Sequence, residues 1–313
     1  TPCGTLFPYT TLFRSIMPAY NAEQYVGEAI ESALAQTYRP IEVLVADDGS
    51  TDGTADVVRG YGKPVVYLHR ENAGPAAARN LALEHAKGKY VAFLDADDLW
   101  HPRKLEAQVP LLEADPALGL CGAELRSFCN GEPVEWSPGP PAGEVYEIPG
   151  RTVIMRNRFS TSALLARAEA VKRAGGFDED IFGPEDWDLW RRVTADWRAV
   201  HLRAVVAAYR ERPGSISGDA ARMLENNRKV IRKSFADNPD LPWHVRLRTL
   251  SYLHLDAALE YGKGRRWSAL AELAKSVALW PLPMGWLSRK SLLRARLAAC
   301  LLAGIGGREK RIG

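Results

Sequence analysis

The sequence predicts an α/β fold in which a mostly parallel central sheet is flanked by helices and followed by a helical C-terminal extension. Three observations carry that expectation. From residue 13 onward, short apolar runs alternate with helix-period segments, the rhythm of a parallel sheet with helices on both faces. The run IEVLVA (41–46) is apolar at nearly every position, as in a strand covered on both sides. After Gly218 the chain turns helical, basic and rich in Leu and Trp.

The elements follow in order. Ser15, Ile16 and Met17 form a first strand that ends at Pro18, and Asn21 with Gln24 has the spacing of a helix capping box. Tyr25, Ala29, Ile30, Ala33 and Leu34 then recur on one helical face. Strand 41–46 leads into the turn DDGST and a short helix around 54–60, and PVVYL (64–68) is the next strand. Gly74-Pro75 opens an Ala-rich helix that ends near Gly88, with Pro at the tolerated first-turn position. YVAFL (90–94) is a fourth strand, running straight into Asp95-Ala96-Asp97-Asp98. Beyond 111 the rhythm loosens. A strand at 118–124 precedes a loop or hairpin over 130–150. Residues 153–179 hold a strand and a helix stopped by Gly175-Gly176. A helix over 183–193 and a strand over 204–210 follow.

Composition removes whole classes. At 25% charged and 46% hydrophobic, with 26 Gly and 20 Pro dispersed along it, the 313-residue chain is neither collagen-like nor disordered. Cys3, Cys121, Cys129 and Cys300 show no metal-ligand spacing, which disfavours a disulfide scaffold or zinc ribbon and fits a reducing cytoplasm. The apolar stretch 297–305 is about half of the ~20 residues that a spanning helix needs. The first residues lack the basic start and apolar core of a secretory signal. The net charge of +3 conceals a division: 23 Lys+Arg stand against 30 Asp+Glu through residue 218, and 18 against 8 after it. An acidic body suits metals or neutral substrates, and a basic tail suits something anionic.

Three acidic clusters carry the chemistry. In LDADD (94–98), carboxylates at i and i+2 can offer hard oxygen ligands to Mg²⁺ or Mn²⁺ while leaving positions for phosphates; equally, Asp98 can cap the helix near Pro102. Asp47 and Asp48 end another strand, where a carboxylate can accept from a base edge or a ribose hydroxyl, whereas Ser50, Thr51 and Asp52 read as a turn and helix cap. Glu185, Asp186 and Asp188 open a helix, where acids stabilise the N-terminus; the other reading is a general base. Both clusters at 47–48 and 95–98 fall at the carboxyl ends of strands, where such sheets bind ligands.

PAYNAE (18–23), EVLVADDGSTDGT (42–54), NAGPAAARN (72–80), FLDADD (93–98), GGFDE (175–179), EDWDLWRR (185–192) and YRERPGSIS (209–217) occur in that order. Together they resemble a family 2 glycosyltransferase with the GT-A (Rossmann-like) fold over roughly residues 13–218. The resemblance implies an inverting enzyme that moves a sugar from a nucleoside-diphosphate-sugar, most simply a UDP-sugar, to a hydroxyl acceptor. It implies that Pro18, Ala19 and Tyr20 cradle the nucleotide, that Asp48 with Asp47 bonds the base, and that Arg79 lies near the diphosphate. Asp95 would face ribose or the metal sphere, Asp97 would bind Mn²⁺ or Mg²⁺, and Asp186 would deprotonate the acceptor. On this basis 13–110 is the nucleotide-sugar-binding half, 111–218 the acceptor-binding half of the same domain, and 219–313 a basic helical region.

Two departures stand out. Where similar enzymes often carry His in the segment around YRERPGS, this chain has Arg212, which can meet phosphate or lie on the surface but cannot ligate a metal. The first strand reads FRSIM instead of an uninterrupted apolar run. Residues 1–12 form an atypical segment, and residues 1–15 are read as a non-native junction in place of the true first strand, which predicts a short or poorly paired strand. A non-catalytic nucleotide-sugar-binding partner subunit and a sugar nucleotidyltransferase are the rival readings.

In the tail, Trp286, Leu293, Leu297 and Cys300 share a helical stripe flanked by Arg289, Lys290 and Arg296, behind a hinge at Trp280, Pro281 and Pro283. That pattern suits either a peripheral helix on the inner face of an anionic membrane, near a lipid-linked glycan acceptor, or a helical cap packed on the domain. No stacking platform or module accompanies the charge, so a nucleic-acid partner is not expected. Trp187 and Trp190 read as packing residues, the six His as surface or core, and Trp136 as an acceptor-stacking candidate.

Overall fold

The computed structural model describes residues 13–212, 214–262 and 264–281, together with Ala298. The chain divides into two compact units, one of residues 1–153 and 157–212, the other of 154–156 and 213–313.

The first unit begins β1 (Phe13–Ala19), α1 (Val26–Leu34), β2 (Ile41–Asp47), α2 (Thr54–Gly60), β3 (Val65–His69), α3 (Pro75–His85) and β4 (Tyr90–Phe93). These four strands are parallel in the order β3-β2-β1-β4. The order reverses at β1: β2 and β3 lie on one side of it and β4 on the other. That switch point is where open α/β sheets form a ligand crevice. The second stretch adds β5 (Leu99–Trp100), α4 (Lys104–Ala114), β6 (Leu118–Cys129), β7 (Val145–Glu147), α5 (Gly150–Met155), β8 (Leu165–Arg167), α6 (Ala168–Arg173), α7 (Glu185–Asp196) and β9 (Arg198–Glu211). Here the sheet is mixed. β8 pairs antiparallel with both β4 and β6, β6 pairs parallel with β9, and β5 and β7 pair antiparallel with β9. The parallel arrangement is therefore confined to the first four strands and the β6–β9 pair.

The first strand corrects the expectation of a damaged start. β1 is paired with β2 at all seven positions and sits between β2 and β4. Phe13, Ile16 and Met17 are buried, and the polar interruption is neutralised in place. Arg14 stands in register with Glu42 of β2 and forms an ion pair with it at 2.6 Å. A charge in a central strand is tolerated when its cross-strand neighbour answers it. Residues 1–12 lie outside the described residues.

Asn21 does not cap a helix. α1 begins five residues later with no side-chain cap, and Asn21 takes a left-handed conformation (φ 47°). Its carboxamide oxygen instead accepts from Thr51 N at 2.8 Å.

In the second unit, α8 (Ala220–Asp237), α9 (Trp243–Tyr261) and α10 (Arg266–Leu279) are joined by short loops. α9 and α10 pack through Leu255, Ala258 and Leu273, beside a buried Ser251–Ser276 pair and a His254–Glu272 contact of 2.5 Å. Trp280 packs against this cluster, whereas Trp243 and Trp267 stand exposed. The apolar stripe of Trp286, Leu293, Leu297 and Cys300 lies outside the described residues. Among the described residues, no helix is long and apolar enough to cross a membrane.

One buried cation in the first unit has consequences for stability. Lys104 is fully buried, donating from Nζ to Gln108 Oε1 (2.6 Å) and to the Leu164 carbonyl (3.2 Å). Burial pushes its pKa down to about 7. In the unfolded chain this lysine keeps its proton to about pH 10.4. Its unfavourable contribution is therefore full below pH 7 and relieved as pH rises toward 10. Urea unfolding of Lys104→Met should lack a rising component of stability between pH 7 and 10, of up to about 1.4 kcal/mol per pH unit, that the wild type shows. Parallel pH profiles for the two proteins would exclude this origin.

Candidate active site

Loops from the ends of β1, β2 and β3 are stitched to one another before any ligand is considered. The turn after β2 accepts three backbone N–H groups of the turn after β1: Asn21 N donates to Ser50 Oγ (3.0 Å), Ala22 N to Thr54 Oγ1 (2.8 Å) and Glu23 N to Asp52 Oδ2 (3.1 Å). Asp52 also accepts from Thr54 N at 3.0 Å, so Ser50, Thr51 and Asp52 serve as turn and clasp. Asp48 reaches the other way, accepting from Ala73 N (3.0 Å) and Gly74 N (2.7 Å) in the β3–α3 loop. Gly49 makes this approach possible: at φ 78°, a Cβ there would lie 2.8 Å from Asn72 N. Burial raises the Asp48 pKa, and the two backbone N–H groups pull it back.

Asp47 is spoken for within the fold. It accepts from Ser50 N (2.9 Å) and from the Tyr67 hydroxyl (2.6 Å), and burial beside that carboxylate lifts the tyrosine pKa to about 12. Pro18 and Ala19 close β1, with the Ala19 carbonyl accepting from Asp48 N at 2.8 Å, while Tyr20 next to them is 52% exposed.

Arg79 is the structural surprise. It is buried, with Nη2 donating to Asp95 Oδ1 (2.6 Å) and Nη1 to Glu185 Oε1 (2.5 Å). The Phe177 ring lies 5.5 Å from the guanidinium. Burial alone would lower its pKa, but Asp95 and Glu185 outweigh it and hold the pKa above the ordinary arginine value. The side chain thus ties the loop after β4 to the start of α7. Asn80, one residue on, exchanges hydrogen bonds of 2.9 Å with both N and O of Phe177, binding the NAGPAAARN and GGFDE segments together.

The three aspartates of LDADD have separate surroundings. Asp98 is buried and accepts from Ser162 Oγ (2.6 Å) and Arg210 N (3.0 Å), so it does not cap α4; burial and the nearby Asp95 and Asp97 raise its pKa. Asp95 and Asp97 are partly open. Asp97 Oδ2 accepts from Arg212 Nε at 2.5 Å, and its carbonyl accepts from Arg210 Nε at 2.8 Å. The Asp95 and Asp97 side chains supply only oxygen donors, which suits Mg²⁺ or Mn²⁺, and two carboxylates leave room for phosphate oxygens in the ligand sphere. Among the described residues no group of three or more His, Cys, Asp or Glu surrounds a common point. A cation there would depend on its substrate for the remaining ligands.

Asp186 is half-buried at the start of α7. Oδ2 accepts from Asn157 Nδ2 and Thr161 Oγ1, both at 3.0 Å, and Oδ1 from Trp187 N at 2.6 Å. Burial, then the charge of Glu185, raises its pKa to about 6, against the pull of Asn157 and Thr161. Asn157, Thr161 and Ser162 were not picked out from the sequence. The one signal was the run of polar side chains in NRFSTS (157–162), which no periodicity singled out. Trp187 and Trp190 are buried in packing, and Trp136 lies half-buried against His101 and Arg126.

The sequence model described as "Glycosyl transferase family 2" matches residues 15–173, just over half of the chain. The chain belongs to glycosyl transferase family 2. The match runs from β1 to α6, and Asp186 and Arg212 lie beyond it. An uncharacterized glycosyltransferase, RP339, of Rickettsia prowazekii (strain Madrid E) is 34% identical over 191 residues, 58% of this chain and 58% of the relative. The matched region thus spans little more than half of that relative's length. WfaP of Escherichia coli, a UDP-Glc:alpha-D-GlcNAc-diphosphoundecaprenol beta-1,3-glucosyltransferase, is 41% identical over 102 residues, 32% of this chain and 41% of WfaP. Among solved structures, mannosyltransferase PcManGT from Pyrobaculum calidifontis, in complex with GDP-Man and Mn²⁺, matches with a TM-score of 0.61 at 24% identity. That match covers 94% of this chain and 81% of PcManGT. The family 2 chain accordingly has the GT-A fold.

The Arg79 bridge carries a stability prediction. Arg79→Met would leave Glu185, 3% exposed, without its cation. Stranding one partner of a buried pair costs about 3–5 kcal/mol, which urea unfolding would register. Unchanged stability would mean that the bridge is dispensable to the fold.

Proposed function

We propose that this family 2 chain is an inverting glycosyltransferase. It moves a sugar from a nucleoside-diphosphate-sugar, most simply a UDP-sugar, to a hydroxyl acceptor in surface polysaccharide or glycolipid synthesis. The observation that carries the reading is the setting of Asp186. A carboxylate with a pKa raised to about 6 is ionised at neutral pH yet basic enough to take a proton. Asn157 and Thr161 fix its orientation.

In this reading the acceptor oxygen attacks the anomeric carbon as the bond to the diphosphate oxygen breaks, and the acceptor proton passes to Asp186. One displacement inverts the anomeric centre. A divalent ion, when bound, offsets charge on the departing nucleoside diphosphate. Asp95 and Asp97 would hold it. Pro18, Ala19 and Tyr20 border the nucleotide, and Asp48, with Asp47 behind it, faces the base through lone pairs left over from the backbone bonds. Arg79 acts as a positioning residue, keeping Asp95 and α7 in fixed relation.

The donor class is supported by the UDP-Glc in WfaP's name and the GDP-Man bound to PcManGT, the metal by the Mn²⁺ of the latter, and a lipid-linked acceptor by the diphosphoundecaprenol of the former. A lipid-linked acceptor places the chain at the inner face of the membrane, where the basic C-terminal region would meet anionic headgroups. Asp186 in a hydrogen-bonded setting favours a catalyst over a non-catalytic partner subunit. The PAYNAE turn, lacking a Gly-rich basic phosphate loop, disfavours a nucleotidyltransferase.

Incubation with Mn²⁺ and a panel of nucleotide-sugars, followed by diphosphate release, tests the reading. Asp186→Asn should cut kcat by roughly 10²–10⁴ while leaving donor binding intact. Asp97→Asn should weaken metal-dependent donor binding. Because only deprotonated Asp186 accepts a proton, kcat/KM should fall by one proton's slope as pH drops through about 6. Full transfer by Asp186→Asn would remove the assigned base.

A further inference from the structure

We propose that Arg212 and a divalent metal hold Asp97 by turns, so that the chain carries its own occupant for one carboxylate of the donor site. The inference rests on the reading of Asp95 and Asp97 as metal ligands, and goes beyond it by making metal uptake an exchange.

Arg212 follows the end of β9. Its Nε donates to Asp97 Oδ2 at 2.5 Å, and its guanidinium lies 5.6 Å from the centre of the Tyr25 ring. The loop beneath cannot draw back from it. Arg210 Nε donates to the Asp97 carbonyl (2.8 Å) and Arg210 N to Asp98 Oδ1 (3.0 Å), while its Nη groups are fixed by Asn130 (2.7 Å) and Glu28 (2.5 Å). Asp97 is therefore presented at a set place, and whatever binds its Oδ2 must contend with Arg212 there.

The two occupants exclude each other for a chemical reason. A guanidinium has five N–H donors and no lone pair, so it cannot enter a metal's ligand sphere, and its charge repels a cation placed on the same carboxylate. The neighbouring arginines differ in kind. Arg79 and Arg210 are almost wholly buried and each bridges several partners, whereas the Arg212 side chain is 34% exposed and, among the described residues, is held by the Asp97 carboxylate and the Tyr25 ring. It is the arginine of the three that can leave. Once released, a guanidinium beside a diphosphate site finds an anion with matching planar geometry. Metal on Asp97 and Arg212 on phosphate would conserve the charge balance that the Asp97–Arg212 pair maintains beforehand.

The test measures metal binding by the full chain without donor. Free Mn²⁺ is followed by its paramagnetic resonance signal for the wild type, Arg212→Gln, Asp97→Asn and the double variant. Arg212→Gln should bind Mn²⁺ about five- to tenfold more tightly, the scale of a partly exposed charge-assisted pair, and Asp97→Asn should abolish the gain. Asp97-dependent binding that is unaffected or weakened by Arg212→Gln overturns the exchange alone. Absence of any Asp97-dependent binding in either protein overturns the metal reading and the exchange with it. A second readout separates displacement from simple charge repulsion. In ¹⁵N-arginine spectra, the Nε–H resonance missing from Arg212→Gln should shift in the wild type with the same Mg²⁺ midpoint as binding. A resonance unmoved at saturating Mg²⁺ overturns the exchange even if the affinities differ.

Discussion

Carboxylates gathered at one end of a sheet repel one another, and burial makes each unanswered charge costly. Arg79 answers two at once, Asp95 on the loop after β4 and Glu185 at the start of α7. The rest of the site is arranged around that guanidinium. The acids then fall into two groups. Asp47, Asp48, Asp98, Glu185 and Asp188 are buried and satisfied by Tyr67, by the Ala73 and Gly74 N–H groups, by Ser162, by Arg79 and by Arg191 with Arg192. Asp95, Asp97 and Asp186 remain partly accessible. The first group fixes the loops on which the second is displayed, so three of these eight carboxylates are left partly open.

Much of this was legible in the residues. Apolar runs and Gly or Pro punctuation located β2, β3, β4 and α3 to within a residue or two at most ends, because in a strand covered on both faces nothing competes with burial. The Asp clusters fell at strand ends as expected. What could not be read was which acid of a run does what. Asp95, Asp97 and Asp98 are near neighbours in sequence, yet their environments are set by Arg79, Arg212 and Ser162, from 16 to 115 residues away. Arg14 misled for the same reason, since its partner Glu42 belongs to the next strand. Asn21 has the composition of a cap, but the stronger demand at that point was to satisfy the Thr51 N–H on the neighbouring loop.

The charge division sharpens in the same light. Part of the acidity in the first unit is matched internally by Arg79, Arg191, Arg192, Arg210 and Arg212. The second unit also contains a matched pair, Arg156 with Asp256 at 2.5 Å, and a lysine, Lys275, on Glu272 at 2.6 Å.

The antiparallel strand β8 lies between β4 and β6, hydrogen-bonded to both. It comes from the later part of the chain yet completes the edge of the earlier part. The first four parallel strands are consequently no separable module. A fragment ending near residue 110 would keep the parallel strands but leave the β4 edge bare, with unpaired N–H and C=O groups beside the apolar Val91, Ala92 and Phe93. Such an edge invites pairing with other chains. The two halves that the motifs delimit share one ladder of hydrogen bonds, and evolution could exchange the later half only by rebuilding the strand that seals its neighbour.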